Sequence, residues 1–119
     1  MAAFENTMGI NTVQLKDNVK CFCPIGKSWC TYQIEVTMEP GKVIPDYLEV
    51  AEFFDEGLDT MATLEKCCAD VLDYFVNDYE PKSVCVTTHC DDAKHMPVTV
   101  SKSYYNNNQK ENASDEEDC

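Results

Sequence analysis

Cys30-Thr31-Tyr32-Gln33-Ile34-Glu35-Val36-Thr37-Met38 decides the fold. Tyr32, Ile34, Val36 and Met38 alternate with Thr31, Gln33, Glu35 and Thr37, the period-two pattern of a strand with one face buried and one in water. Upstream, residues 17–23 place Val19, Cys21 and Cys23 on one side, which predicts a partner strand. Pro24-Ile25-Gly26-Lys27-Ser28 separates the two strands, and its Pro and Gly mark a loop. Downstream, Glu39-Pro40-Gly41-Lys42 reads as a turn. The first third of the chain is therefore expected to form a hairpin, preceded by an arm or a leading edge strand.

The period then changes. Pro45 suits a first helical turn, and Asp46 suits the positive end of a helix dipole. Tyr47, Leu48, Ala51 and Phe54 fall on one helical stripe, and Gly57 is placed to stop it. A second helix is predicted over 61–77, with Asp59 or Thr60 as N-cap and a stripe of Leu64, Cys68, Val71, Leu72 and Phe75. Glu80-Pro81 ends it. Two further alternating runs, 83–88 around Val84 and Val86 and 97–101 around Val98 and Val100, predict a second hairpin. Their link, 89–96, carries two Asp and two His and is long for a hairpin loop. The expected fold class is α+β, in the order ββααββ. Residues 1–16 are expected to be an N-terminal arm and 17–104 the domain. From 105 to 119 the composition turns to Asn, Gln, Asp and Glu, which predicts a disordered acidic tail.

Composition narrows the function. The chain has 119 residues and a formal net charge of −13, and all nine of its cations are Lys. Direct nucleic-acid binding through phosphates needs a basic face and is not expected. An anionic membrane surface is disfavoured for the same reason. Without arginine there are no bidentate guanidinium forks for anions. No signal-like start and no apolar run of about 18 residues is visible, so a cytoplasmic protein is expected. Its eight cysteines then read as thiols rather than disulfides.

Two positions could carry chemistry. Cys23 ends a strand beside a loop with Gly26 and Lys27, a setting for a partly exposed nucleophilic thiol, although the local residues alone favour a buried structural one. Glu65 lies at the border of the apolar stripe of the second helix. There it is either an exposed helix-dipole partner or a pocket carboxylate able to accept two N–H donors from a guanine-like edge. Cys21, Cys23, His89, Cys90 and His95 would suit zinc if the hairpins brought them together, although no Cys-x-x-Cys spacing supports this.

These elements, in this order, resemble the 7-cyano-7-deazaguanine (preQ0) reductase family. The run Val19-Lys20-Cys21-Phe22-Cys23-Pro24, Leu64-Glu65-Lys66-Cys67, and Glu80-Pro81-Lys82-Ser83-Val84-Cys85-Val86 carry the resemblance, which spans about 17–102. It implies a tunnelling fold, a four-stranded antiparallel sheet of two hairpins with two helices on one face. It also implies a homo-oligomer whose sheets join edge to edge, with a purine-like ligand bound between subunits. By the same resemblance, Cys23 matches the nucleophile that forms a thioimide with the nitrile carbon, and Glu65 matches the glutamate that anchors the deazapurine.

The chain also departs from the family. Cys30 stands where the family has a proton-moving aspartate. Asp46-Tyr47-Leu48-Glu49-Val50 stands where it has its lysine-bearing reductase signature, and His89-Cys90-Asp91-Asp92-Ala93-Lys94-His95 replaces a segment with Arg and Gly. NADPH-dependent reduction is therefore not expected and no cofactor is predicted. The leading expectation is a divergent enzyme of the 7-deazaguanine (queuosine) type. It would bind a 7-deazaguanine or related purine, with nitrile-directed chemistry at Cys23. The rival expectation is a catalytically inactive acidic protein that presents the same scaffold to a basic protein partner.

Overall fold

The alternating run 30–38 lies in the second strand of a four-stranded antiparallel sheet. The computed structural model describes residues 3–106. Their order is β1 (Ala3–Glu5), β2 (Val13–Cys23), β3 (Ser28–Glu39), β4 (Val43–Pro45), α1 (Tyr47–Glu52), a π-helical turn (Phe53–Gly57), α2 (Leu64–Tyr79), β5 (Ser83–Cys90) and β6 (Val98–Tyr105). The main sheet runs β2-β3-β5-β6, and β1 pairs separately with β4. This is the expected α+β arrangement of two hairpins with two helices on one face.

Register explains which side chains meet the helices. Val36 sits between Leu15 of β2 and Val86 of β5, and Ile34 sits between Asp17 and Thr88. Tyr32, Ile34, Val36, Met38, Val84 and Val86 are buried against α2, whose inner face carries Cys68, Val71, Leu72 and Phe75. Each fully buried side chain of this size contributes roughly 1.5–3 kcal/mol. Cys67 is buried as well, which widens the predicted stripe. The opposite sheet face is polar, with Lys16, Asn18, Gln33, Glu35, Thr87 and His89.

Several boundaries differ from expectation. Strand β2 begins at Val13 rather than 17. Val13 is buried opposite Met38, but the exposed Asp17 interrupts the apolar alternation and hides its start. Pro45 closes β4, and Asp46 is the cap of α1, accepting the N–H of Leu48 at 3.0 Å. Tyr47 and Leu48 are exposed, whereas Val50, Phe54 and Leu58 are buried. The π-helical turn, closed by the Leu58 N–H to the Phe53 carbonyl at 2.9 Å, shifts the phase of the predicted stripe.

Helix α2 starts three residues later than predicted. Thr63 is its N-cap, accepting the Lys66 N–H at 3.1 Å, while Asp59 instead receives the N–H of Met61. At the helix C-terminus Glu80 takes a left-handed conformation (φ 47°), and Pro81 prevents continuation. Gly41 is required beside it, because a Cβ there would stand 2.8 Å from the Glu80 carbonyl oxygen.

At the far end, Tyr105 pairs with Ser83 and the Asn106 N–H reaches the Lys82 carbonyl at 2.9 Å. The start of the predicted tail is thus part of the sheet margin, and 107–119 lies outside the described residues. Cys21, Cys23, Cys30, Cys67, Cys68 and Cys90 are free thiols. Cys85 is disulfide-bonded, against the expectation of thiols throughout. Among the described residues no helix is long and apolar enough to cross a membrane.

Candidate functional site

Two long-range hydrogen bonds bring the start of α2 to the end of the first hairpin. The Phe22 N–H donates to the Thr60 carbonyl at 2.7 Å, and the Tyr32 hydroxyl donates to the Ala62 carbonyl at 3.0 Å. Burial, with the neighbouring Cys23, Cys21, Cys30 and Cys90 thiols, raises the Tyr32 pKa well above its usual value, so the hydroxyl stays a donor. Thr88 adds a third tie, from its hydroxyl to the Leu64 carbonyl at 3.3 Å. The segment 60–64 is therefore fixed against the sheet, and Glu65, in the first turn of α2, follows it.

The result is a cavity of about 240 Å³ lined by both Cys23 and Glu65, although 42 residues separate them. Tyr32, Cys30 and Cys90 also line it, with Ile25, Leu64 and Val98 supplying apolar wall and His95 standing at the loop side. Cys23 is half-buried. The Gly26 N–H points at its sulfur from 3.4 Å, and the Lys27 N–H closes the loop on the Cys23 carbonyl at 2.7 Å. Lys27 adopts φ 56° to make that turn. Glu65 is exposed at the cavity mouth and makes no hydrogen bond or ion pair with any described residue. Among the described residues no lysine lines the cavity.

Cys30 is buried, with its sulfur 3.9 Å from the Ser28 hydroxyl. Beside it the structure places a carboxylate that the sequence reading did not single out. Cys30 Sγ, Cys90 Sγ and a carboxylate oxygen of Asp92 all lie within 4.8 Å of one another. The Cys90 thiol donates to Asp92 Oδ1 at 3.4 Å. The Thr31 N–H reaches both Asp92 oxygens, at 3.1 and 3.0 Å, which holds the Asp92 carboxyl below the usual carboxylate range. Beyond Gln33, β3 has no β5 partner, so Asp92 takes the ladder N–H that a strand would otherwise take. Burial pushes the Cys90 thiol up. The only hint in sequence is the spacing Cys90-Asp91-Asp92.

Of the five residues that would suit zinc, Cys23, Cys90 and His95 line the cavity, but Cys21 and His89 do not. Cys21 is fully buried and hydrogen-bonded to Cys67, whose thiol that bond and burial push far up. His89 lies on the opposite sheet face, with Nδ1 on the Thr99 hydroxyl at 2.6 Å and Nε2 3.5 Å from Asp91. His95 engages the Met96 carbonyl through Nδ1. The Asp46–Val50 segment forms the start of α1, and its Glu49 accepts the Tyr79 hydroxyl at 2.6 Å, away from the cavity.

A scan against protein-family models gives no match, and a search of curated proteins gives none. Among solved structures, the apo form of an archaeosine synthase QueF-Like superposes with a TM-score of 0.72. The likeness covers 79% of this chain and 93% of that one, at 21% sequence identity. At that identity it establishes the fold alone: the chain has the QueF-like tunnelling fold that its sequence motifs resemble.

Proposed function

We propose that the chain binds a 7-deazaguanine or related purine base in this cavity, with Glu65 as the base anchor and Cys23 as a nucleophile toward an electrophilic carbon on it. The observation that carries the proposal is that Cys23 and Glu65 line one hollow. A carboxylate with no other partner can accept two N–H bonds from a guanine-like edge. At about 240 Å³ the cavity falls below the roughly 300–1,000 Å³ of drug-sized sites, which suits a free base better than a nucleotide. The absence of Lys from its lining, together with the lack of Arg in the chain, argues in the same direction. Phosphate groups, including those of NADPH, would find no lysine or arginine there.

With a nitrile-bearing base such as preQ0, the Cys23 thiol adds across the C≡N bond. A C–S bond forms, one π pair moves to nitrogen, and the thiol proton follows it to give a thioimide. An amine then displacing the thiol would give an amidine without any reductant. The neighbouring structure's name, archaeosine synthase, supports a 7-deazaguanine substrate over an unrelated one. The sheet ends in β2 and β6, and joining copies along those edges would protect them and build a homo-oligomer around the site.

Calorimetric titration with preQ0 tests the base anchor. Glu65→Gln replaces one acceptor oxygen with a donor facing a donor. It should weaken binding about 10- to 100-fold, the effect of losing a charged hydrogen bond of about 1.5–3 kcal/mol. Unchanged affinity in Glu65→Gln, or no binding to the unsubstituted protein, contradicts the proposal. The second of those results favours the inactive interaction protein.

A further inference from the structure

We propose that Cys30, Cys90 and Asp92 form a site for one borderline-soft divalent cation, zinc by preference, open to the cavity that holds Cys23 and Glu65. The two sulfurs come from adjacent regions of β3 and β5, and both residues are 3% exposed. The third donor follows on the loop after β5. Their ligand atoms lie within 4.8 Å of one another, and the Cys90–Asp92 pair stands at 3.4 Å. A tetrahedral zinc with Zn–S of about 2.3 Å and Zn–O of about 2.0–2.2 Å sets its donors roughly 3.5–3.8 Å apart. The tripod therefore needs to close by about an ångström at most.

The carboxylate is already oriented. Thr31 holds it through its one backbone N–H, shared between both carboxylate oxygens at 3.1 and 3.0 Å, the kind of outer hydrogen bond that fixes a metal ligand in place. Two thiolates and one carboxylate form a set suited to zinc rather than to magnesium or calcium. Three protein donors leave a fourth position for water or ligand, and Cys30 and Cys90 both line the cavity. On binding, the cation displaces the two thiol protons to solvent and takes up the ionised carboxylate, leaving one surplus negative charge on the site.

The site stands without the purine proposal, but its role rests on that reading. Cys30 stands where the resembling enzymes are expected to carry an acid, and a cation there would supply the missing polarising group. It would act as a Lewis acid or through a bound water whose pKa falls to about 7.

The test uses the full chain, reduced and stripped with chelator, then titrated with Zn²⁺ alone and with Co²⁺ alone. Elemental analysis should give one metal per chain, and cobalt should show a sulfur-to-metal charge-transfer band. Cys30→Ser and Cys90→Ser should each abolish that band. Asp92→Asn, at an exposed position that spares the core, should weaken binding by at least about 10-fold, and Cys23→Ala should retain full binding. No stoichiometric metal with thiols shown to be reduced would overturn the site, as would cobalt binding that survives both serine variants. Metal uptake without preQ0 binding supports the site while contradicting the purine reading; preQ0 binding without metal uptake does the reverse.

Discussion

Cys21 and Cys23 stand two residues apart on the same face of β2, yet their surroundings differ completely. Cys21 is fully buried, opposite Cys30 in the ladder and hydrogen-bonded to Cys67 of α2. Cys23 is the last residue of the strand, half-buried, with the Gly26 N–H on its sulfur and a cavity in front. One step of strand pleat, about 7 Å along the chain, separates a thiol serving as core filler from a thiol that can meet a ligand. Depth beneath α2, not residue type, sets the difference. The helix begins only at Leu64, and the hollow opens where its first turn leaves the sheet uncovered.

Brief alkylation of the native protein should break this comparison most sharply. Cys23 should react first. Cys21 and Cys67 should react at least about a thousandfold more slowly, because they become exposed only on unfolding that costs about 5 kcal/mol or more. Peptide mapping would read the sites, and equal labelling of Cys21 and Cys23 would remove the distinction.

Smaller effects sharpen it. Gly41→Ala, at the opposite end of the sheet, should cost about 1–3 kcal/mol in chemical denaturation, since its Cβ meets the Glu80 carbonyl. It should leave Cys23 reactivity unchanged. Cys67→Ala should cost about 1–2 kcal/mol through a small cavity and a lost thiol partner, again without altering Cys23 chemistry. Thr63→Ala removes the N-cap of α2 and should cost about 1 kcal/mol. Unlike the other two, it should also weaken preQ0 binding slightly, because the first turn it caps carries Glu65.

Much of this frame is legible in the sequence because it depends on local periodicity. The alternation of Tyr32, Ile34, Val36 and Met38 and the stripe of Leu64, Cys68, Val71, Leu72 and Phe75 each state which face is buried. The convergence of Cys23 and Glu65 on one hollow was expected from resemblance and the order of elements, not from any local signal. What stayed hidden depends on contacts between distant segments. Asp92 reaches Thr31 across 61 residues, and nothing near Asp92 announces a strand lacking a partner. Asp17 masks the early start of β2, and α1 with the π-helical turn after it buries Val50 and Phe54 while leaving the apolar Tyr47 and Leu48 exposed. The pairing of β1 with β4 likewise has no periodic trace in two three-residue strands.

The most direct test of the central claim, that Cys23 and Glu65 act on one bound base, is intact mass spectrometry of the reduced protein after incubation with preQ0. A mass gain of one preQ0 per chain is expected, absent in Cys23→Ala and reduced in Glu65→Gln at limiting preQ0. An adduct that persists in Cys23→Ala, or no adduct at saturating preQ0, would contradict it.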